Sequence, residues 1–131
     1  MTKNIRVSPS LEDYLETIYF LQNEKNEVRV TDIALEMSIS KPSVNKAINL
    51  LKTHELVLHE HYGHLTLTEK GRKIAEDTAK RHFIIKKFLT DILDVDEVTA
   101  ETEACKLEHS MSMSTMEKLN DYIKRVTNPK E

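Results

Sequence analysis

Glycine and proline are scarce, two and three in 131 residues. A chain so poor in both cannot supply the turns of a loop-rich or all-β protein, and the shortage points to helix. A lone cysteine, Cys105, excludes an internal disulfide and suits a reducing compartment. Aromatic residues make up only 5%, although 39% hydrophobic content is enough for a core. No apolar run approaches the ~18 residues that a membrane span needs. The first six residues, Met1-Thr2-Lys3-Asn4-Ile5-Arg6, lack the apolar stretch of a signal peptide, so a cytoplasmic location is expected. The net charge of -3 shows no general excess of positive charge, and any surface for nucleic acid must be local. The length allows one compact unit, or two small ones sharing a long helix.

What is present is helical periodicity. After a short arm at 1–9, Ser10 is placed to cap a helix from about Leu11 to Asn23, with Leu11, Tyr14, Leu15, Ile18 and Leu21 on its inner side. Val28 and Val30 suit a brief strand. A short helix through Met37 follows, then the turn Ser38-Ile39-Ser40, then a helix capped by Ser40 with Pro42 in its first turn. Val44, Ala47, Ile48 and Leu51 form the buried stripe of that helix, and Ala34 is small where two helices cross. This is a helix–tight turn–helix pattern. Lys41, Pro42, Ser43, Asn45, Lys46 and Asn49 occupy the outer side and N-terminal turn of the second helix, where polar side chains reach phosphates and base edges in a major groove. The plainer alternative is an ordinary antiparallel helix pair.

Two alternating runs around Tyr62-Gly63, from Leu56 to Leu67, read as a β-hairpin, which makes the module a winged helix–turn–helix. His59, His61 and His64 lie on this wing. They are read as backbone contacts to DNA (His61 and His64 above all) or as plain surface, rather than as a metal site. From Ser38 to Ala75 six cationic side chains face three anionic ones, a local positive excess that the whole-chain charge conceals.

Thr68 is placed to cap a long helix reaching about Asp91, and a further helix is expected from about Val98 to His109. Ser114 and Glu117 suggest a capping box for a last helix to about Val126, with Met116, Leu119, Tyr122, Ile123 and Val126 on its apolar side. Residues from Thr127 onward form a polar tail. The expected class is mainly α. Residues 1–75 would form the winged DNA-binding domain and residues 76–131 an all-helical domain too small for a good core of its own. A half of that kind finds the rest of its core in a second copy, hence a homodimer.

Cys105, Glu108 and His109 fall at i, i+3 and i+4, which on a helix places a thiol, a carboxylate and an imidazole on one face. Asp13 and Glu16 share a face of the first helix, and His82 lies in the middle of the long one. Taken singly, each has an ordinary reading as a solvated carboxylate, a small core thiol or a hydrogen-bonded histidine. Together they are six ligand-type residues on three helices.

The arrangement resembles the iron- and manganese-responsive repressors of the diphtheria toxin repressor family. The segments that carry the likeness are Leu11-Glu12-Asp13-Tyr14-Leu15-Glu16-Thr17-Ile18-Tyr19, Leu65-Thr66-Leu67-Thr68-Glu69-Lys70-Gly71, Arg81-His82, and Glu103 to Ser112. The resemblance implies a dimeric repressor in which a divalent ion, held by Asp13, Glu16, His82, Cys105, Glu108 and His109, sets the spacing of two heads on a palindromic operator. It would control genes of metal uptake, with no organic substrate. The manganese branch has carboxylates at the positions of Asp13 and Glu16 and a further Glu where this chain has Cys105. The iron branch has Met at the first of these and Cys at the last. It also has an ancillary site, where this chain carries His82, Lys86 in place of Glu and Glu101 in place of His. The chain ends at 131, the length of the manganese branch, which lacks an SH3-like domain. Carboxylates favour Mn²⁺ and the thiolate favours Fe²⁺, Co²⁺ or Zn²⁺, so Mn²⁺ or Fe²⁺ is the expected activator, one ion per subunit.

Two rival readings stand beside this one. In the first, a winged-helix regulator senses an organic ligand, or none, and the Cys-Glu-His face is mere surface. In the second, an enzyme uses Cys105 as nucleophile with His82 or His109 as base. The second lacks a glycine-rich loop to stabilise an oxyanion or phosphate, and a non-enzymatic role is expected.

Overall fold

The computed structural model describes residues 9–60 and 63–128, with side chains described from Leu11 onward. The expected N-terminal arm before Pro9, the end of the tail after Asn128, and the wing residues His61 and Tyr62 lie outside the described residues. The chain divides into two compact units, 1–76 and 77–131.

In the first unit α1 spans Pro9–Glu24, β1 Val28–Arg29, α2 Val30–Met37 and α3 Lys41–Thr53, followed by β2 at Val57–His59 and β3 at His64–Leu67. Helix α1 starts at Pro9, so Ser10 lies inside its first turn rather than capping it. Proline is well placed there, because the first helical N–H has no intrahelical partner in any case. Ser40 does cap α3, its Oγ accepting from the Ser43 amide at 3.3 Å. Between α2 and α3 the chain turns through Ser38 in the left-handed region, and the Ile39 amide donates back to the Ala34 carbonyl at 3.1 Å. This is the Schellman-type stop that permits a tight turn.

The three strands form one antiparallel sheet in the order β1-β3-β2, with Val28 opposite Leu65 and Val57 opposite Leu67. One core joins these elements. Leu15 and Ile18 of α1, Ile33 of α2, Val44, Ile48 and Leu51 of α3, and Val28 and Leu65 of the sheet are all at 1% exposure or less.

Helix α4 spans Glu69–Lys87 and opens at Gly71, where a Cβ would stand 2.0 Å from the Leu56 carbonyl oxygen. Only glycine allows the helix to pass so near that backbone. The helix continues as a wider π turn, Phe88–Ile92. Thr90 Oγ1 takes the Lys86 carbonyl at 3.1 Å, and the Leu93 amide returns five residues to the Phe88 carbonyl at 3.2 Å. A threonine that bonds the backbone in this way competes with the regular helical pattern.

In the second unit α5 spans Glu97–Leu107 and α6 Met113–Thr127. The cap of α6 is Ser112, whose Oγ accepts from the Thr115 amide at 3.1 Å, and not Ser114, which is already helical. Serine at either position fits the local pattern, and the position of Met111 and Met113 against the small core selects the earlier one. Ile84, Ile85, Leu89, Ala100, Ala104, Met116 and Ile123 fill that core. Tyr122 and Val126, expected on the apolar side of α6, are 41% and 43% exposed, while Met116 and Ile123 of the same helix are buried.

Candidate metal centre and nucleic-acid face

Helix α4 delivers His82 and the C-terminal end of α5 delivers Cys105, Glu108 and His109. Helix α5 ends at Leu107, two residues short of the expected His109, and Glu108 is its C-cap. Glu108 keeps helical dihedrals and its amide still bonds the Ala104 carbonyl at 2.9 Å. The i, i+3 geometry therefore survives past the nominal helix end. Donor atoms of His82, Cys105 and Glu108 lie within 4.8 Å of one another.

Glu108 is fully buried. Its Oε1 stands 2.7 Å from His82 Nδ1. Its Oε2 is enclosed, 3.4 Å from His109 Nε2, and among the described residues it has no hydrogen-bond partner. A buried carboxylate oxygen left without a donor is costly, and a bound ion or water is one way such an atom is satisfied. A divalent cation fits both this atom and the N, S and O character of its neighbours. Glu108 is also fixed through its backbone, since Arg81 Nε donates to its carbonyl at 2.7 Å.

His82 has a second partner, Glu101 Oε2, 3.1 Å from its Nε2. The Glu108 bond above all, opposed by burial and reinforced by Glu101, pushes the His82 pKa up from 6.5 to about 9. Glu101 is held below the usual carboxylate range, first by Lys86 and then by His82. Lys86 Nζ reaches Glu97 at 2.7 Å and Glu101 at 3.0 Å, and both contacts raise its own pKa.

Arg81, Lys86, Glu97 and Glu101 thus belong to the site's surroundings. Sequence reading assigned them no role in holding the site, although a signal exists. Glu97, Glu101 and Cys105 recur every four residues along α5, and His82 and Lys86 do so along α4, so each set shares one helix face.

In the first unit Asp13 and Glu16 occupy one half-buried face of α1, beside the core residues Tyr14 and Leu15. Lys41, Pro42, Ser43, Asn45, Lys46 and Asn49 are all exposed along α3, opposite its buried Val44, Ala47, Ile48 and Leu51. His64 is half-buried in β3, and its Nδ1 faces inward with no hydrogen-bond partner among the described residues. Gly63, at φ +91°, provides the wing turn, and the Gly63 amide bonds the Glu60 carbonyl at 3.0 Å.

This pairing of an exposed polar recognition-type helix with a ligand-rich helical unit has relatives of known family. The N-terminal DNA-binding domain of the iron dependent repressors matches residues 6–65, and their metal binding and dimerisation domain matches residues 68–130. The chain belongs to the iron-dependent repressor family. Among solved structures it is similar to the manganese regulator SloR, with 30% identity, a TM-score of 0.78 and coverage of 95% of this chain and 55% of that one. A manganese-dependent transcriptional repressor in complex with manganese shares 27% identity at TM-score 0.77, over 86% of this chain and 52% of that one. ScaR with bound Zn²⁺ shares 30% identity at TM-score 0.74, over 87% and 53%. The chain thus spans about half the length of these regulators. Among its described residues no helix is long and apolar enough to cross a membrane.

Proposed function

We propose that the protein is a cytoplasmic, dimeric, metal-dependent transcriptional repressor, with Mn²⁺ or Fe²⁺ as its activating ion. The observation that carries this reading is the convergence of donor atoms of His82, Cys105 and Glu108, with the second Glu108 oxygen, Oε2, buried and without a hydrogen-bond partner among the described residues. The ligand set is His82, Cys105, Glu108 and His109 from the second unit, completed by Asp13 and Glu16 from α1. Three carboxylates favour Mn²⁺, while the Cys105 thiolate adds affinity for Fe²⁺, Co²⁺ or Zn²⁺. Relatives described as a manganese regulator, a manganese complex and a Zn²⁺ complex are consistent with that range.

When bound, the ion supplies positive charge that several anionic donors share. Asp13 and Glu16 sit on the helix whose Leu15 and Ile18 pack in the same core as Val44 and Ile48 of α3. Any restraint on these carboxylates is therefore passed to the DNA-reading helix through close-packed side chains. Without the cation, the carboxylates of the ligand set repel one another. Operator and metal binding are then reciprocally coupled, typically by ~1–3 kcal/mol. Lys41, Ser43, Asn45, Lys46 and Asn49, with Pro42 setting the first turn, face the operator, and the wing residues His61 and His64 lie along its backbone.

Phe83, Leu93, Val98, Leu107, Tyr122 and Val126 are large apolar residues that the chain leaves exposed in its second unit. A self-complementary dimer interface would cover residues of this kind and bring two heads onto a palindromic operator. Cys105 is assigned a ligand's role and not a nucleophile's. The only two glycines serve a turn and a close helix approach in the first unit, leaving none to build an oxyanion cradle.

The test is operator affinity by fluorescence anisotropy in EDTA and then with Mn²⁺, Fe²⁺, Co²⁺ or Zn²⁺. Binding should tighten at least tenfold with the activating ion, and metal affinity should rise by the same factor when operator is present. Equal operator affinity with and without every metal would refute the reading.

A further inference from the structure

The ion pairs on the outer side of His82 form a chain. Glu97 and Glu101 on α5 both grip the Lys86 ammonium, at 2.7 and 3.0 Å, and Glu101 then reaches His82 at 3.1 Å. His82 in turn meets Glu108. Two carboxylates that converge on one point suit a cation, and here a cation already stands between them, the lysine's own, while the far oxygen of Glu101 holds the His82 imidazole. The two ion pairs of Lys86 hold its ammonium in place between the carboxylates.

We propose that Lys86 is a positioning and selectivity residue of the metal site: its ammonium takes the place of a second divalent ion, holding Glu101 on His82 and confining the chain to one transition-metal ion per subunit. The inference rests on the metal reading above. A divalent ion brought close to a fixed ammonium meets like-charge repulsion. Lys86 also leaves Glu101 and Glu97 no uncommitted charge to offer. In the same pose, Glu101 supports the imidazole from outside, the orienting arrangement typical of metal-ligating histidines. Replacing Lys86 by a neutral side chain of similar length removes the repulsion and frees both carboxylates, so the Glu97–Glu101–His82 cluster gains room for a second ion.

The experiment measures Co²⁺ bound per chain, by equilibrium dialysis with elemental analysis, in the full-length wild type, Lys86→Met and Lys86→Arg. The cobalt–thiolate absorption band reports occupancy of the Cys105 site independently of the total. Expected are one ion with the band in wild type and in Lys86→Arg, and two ions with the band retained in Lys86→Met. Circular dichroism checks folding, and Lys86→Gln serves as a second neutral variant. One ion in folded Lys86→Met and Lys86→Gln alike, or two in wild type, overturns the role given to Lys86 while the metal reading stands. A wild type that binds no ion and shows no thiolate band overturns the metal reading and this inference with it.

Discussion

Replacing His82 with glutamine should change how the metal-free protein responds to pH. In that protein His82 lies against the buried Glu108 and the Glu101 carboxylate, and its pKa rises from 6.5 to about 9. At ~1.4 kcal/mol per pH unit, that rise corresponds to about 3 kcal/mol favouring the charged, folded form. Folding raises this pKa, so the stabilisation is complete below pH 6.5 and fades as pH climbs through about 9. Glutamine keeps a polar side chain of similar reach but carries no proton to lose.

Urea unfolding in EDTA, from pH 6 to pH 9.5, gives the free energy of wild type and His82→Gln at each pH. The difference between the two cancels the titration of groups common to both. Wild type's advantage should shrink by about 3 kcal/mol across that range. Glu101→Gln should remove a smaller part of it than Glu108→Gln, because the Glu108 hydrogen bond is the largest contribution to the shift. A gap between wild type and His82→Gln that stays constant with pH would show that the Glu108–His82 contact does not carry the charge assigned to it.

Other consequences are separable. Gly71→Ala would drive a Cβ to 2.0 Å from the Leu56 carbonyl oxygen. That oxygen also accepts the Thr68 amide at 3.0 Å, so the substitution should cost about 2–4 kcal/mol in urea unfolding, by overpacking plus a lost hydrogen bond; unchanged stability would contradict the close approach. Cys105→Ser should weaken Co²⁺ and Zn²⁺ binding by roughly 10–100-fold, with a much smaller effect on Mn²⁺, as competition with a chromophoric chelator would measure. Equal losses for all three ions would count against a thiolate ligand. Lys46→Ala, on the exposed side of α3, should lower the slope of log affinity against log salt by about 0.9 if Lys46 neutralises one phosphate.

Much of this protein could be read from local pattern. The spacing of Val44, Ala47, Ile48 and Leu51 defined the buried stripe of α3, and Ser40 and Pro42 marked its start, because caps and stripes depend on residues a few positions apart. The same holds for Cys105 and Glu108, whose i, i+3 geometry follows from helical spacing, whereas His109 lies past the end of α5. Choosing Ser112 over Ser114 as the cap of α6 required knowing which methionines pack inward. The exposure of Tyr122 and Val126 depends on which part of the apolar side of α6 finds a neighbour, which periodicity does not report.

Sequence by itself determined the helical class, the helix–turn–helix and the identities of the candidate ligands, since each rests on neighbours within one or two turns of backbone. Tertiary structure alone decided that Glu108 is buried beneath His82, that Arg81 ties its carbonyl to α4, and that Lys86 stands between Glu97 and Glu101. Those contacts join side chains from different helices. Their distances are set by packing of Ile85 and Leu89 against Ala100 and Ala104, and not by spacing along any one segment.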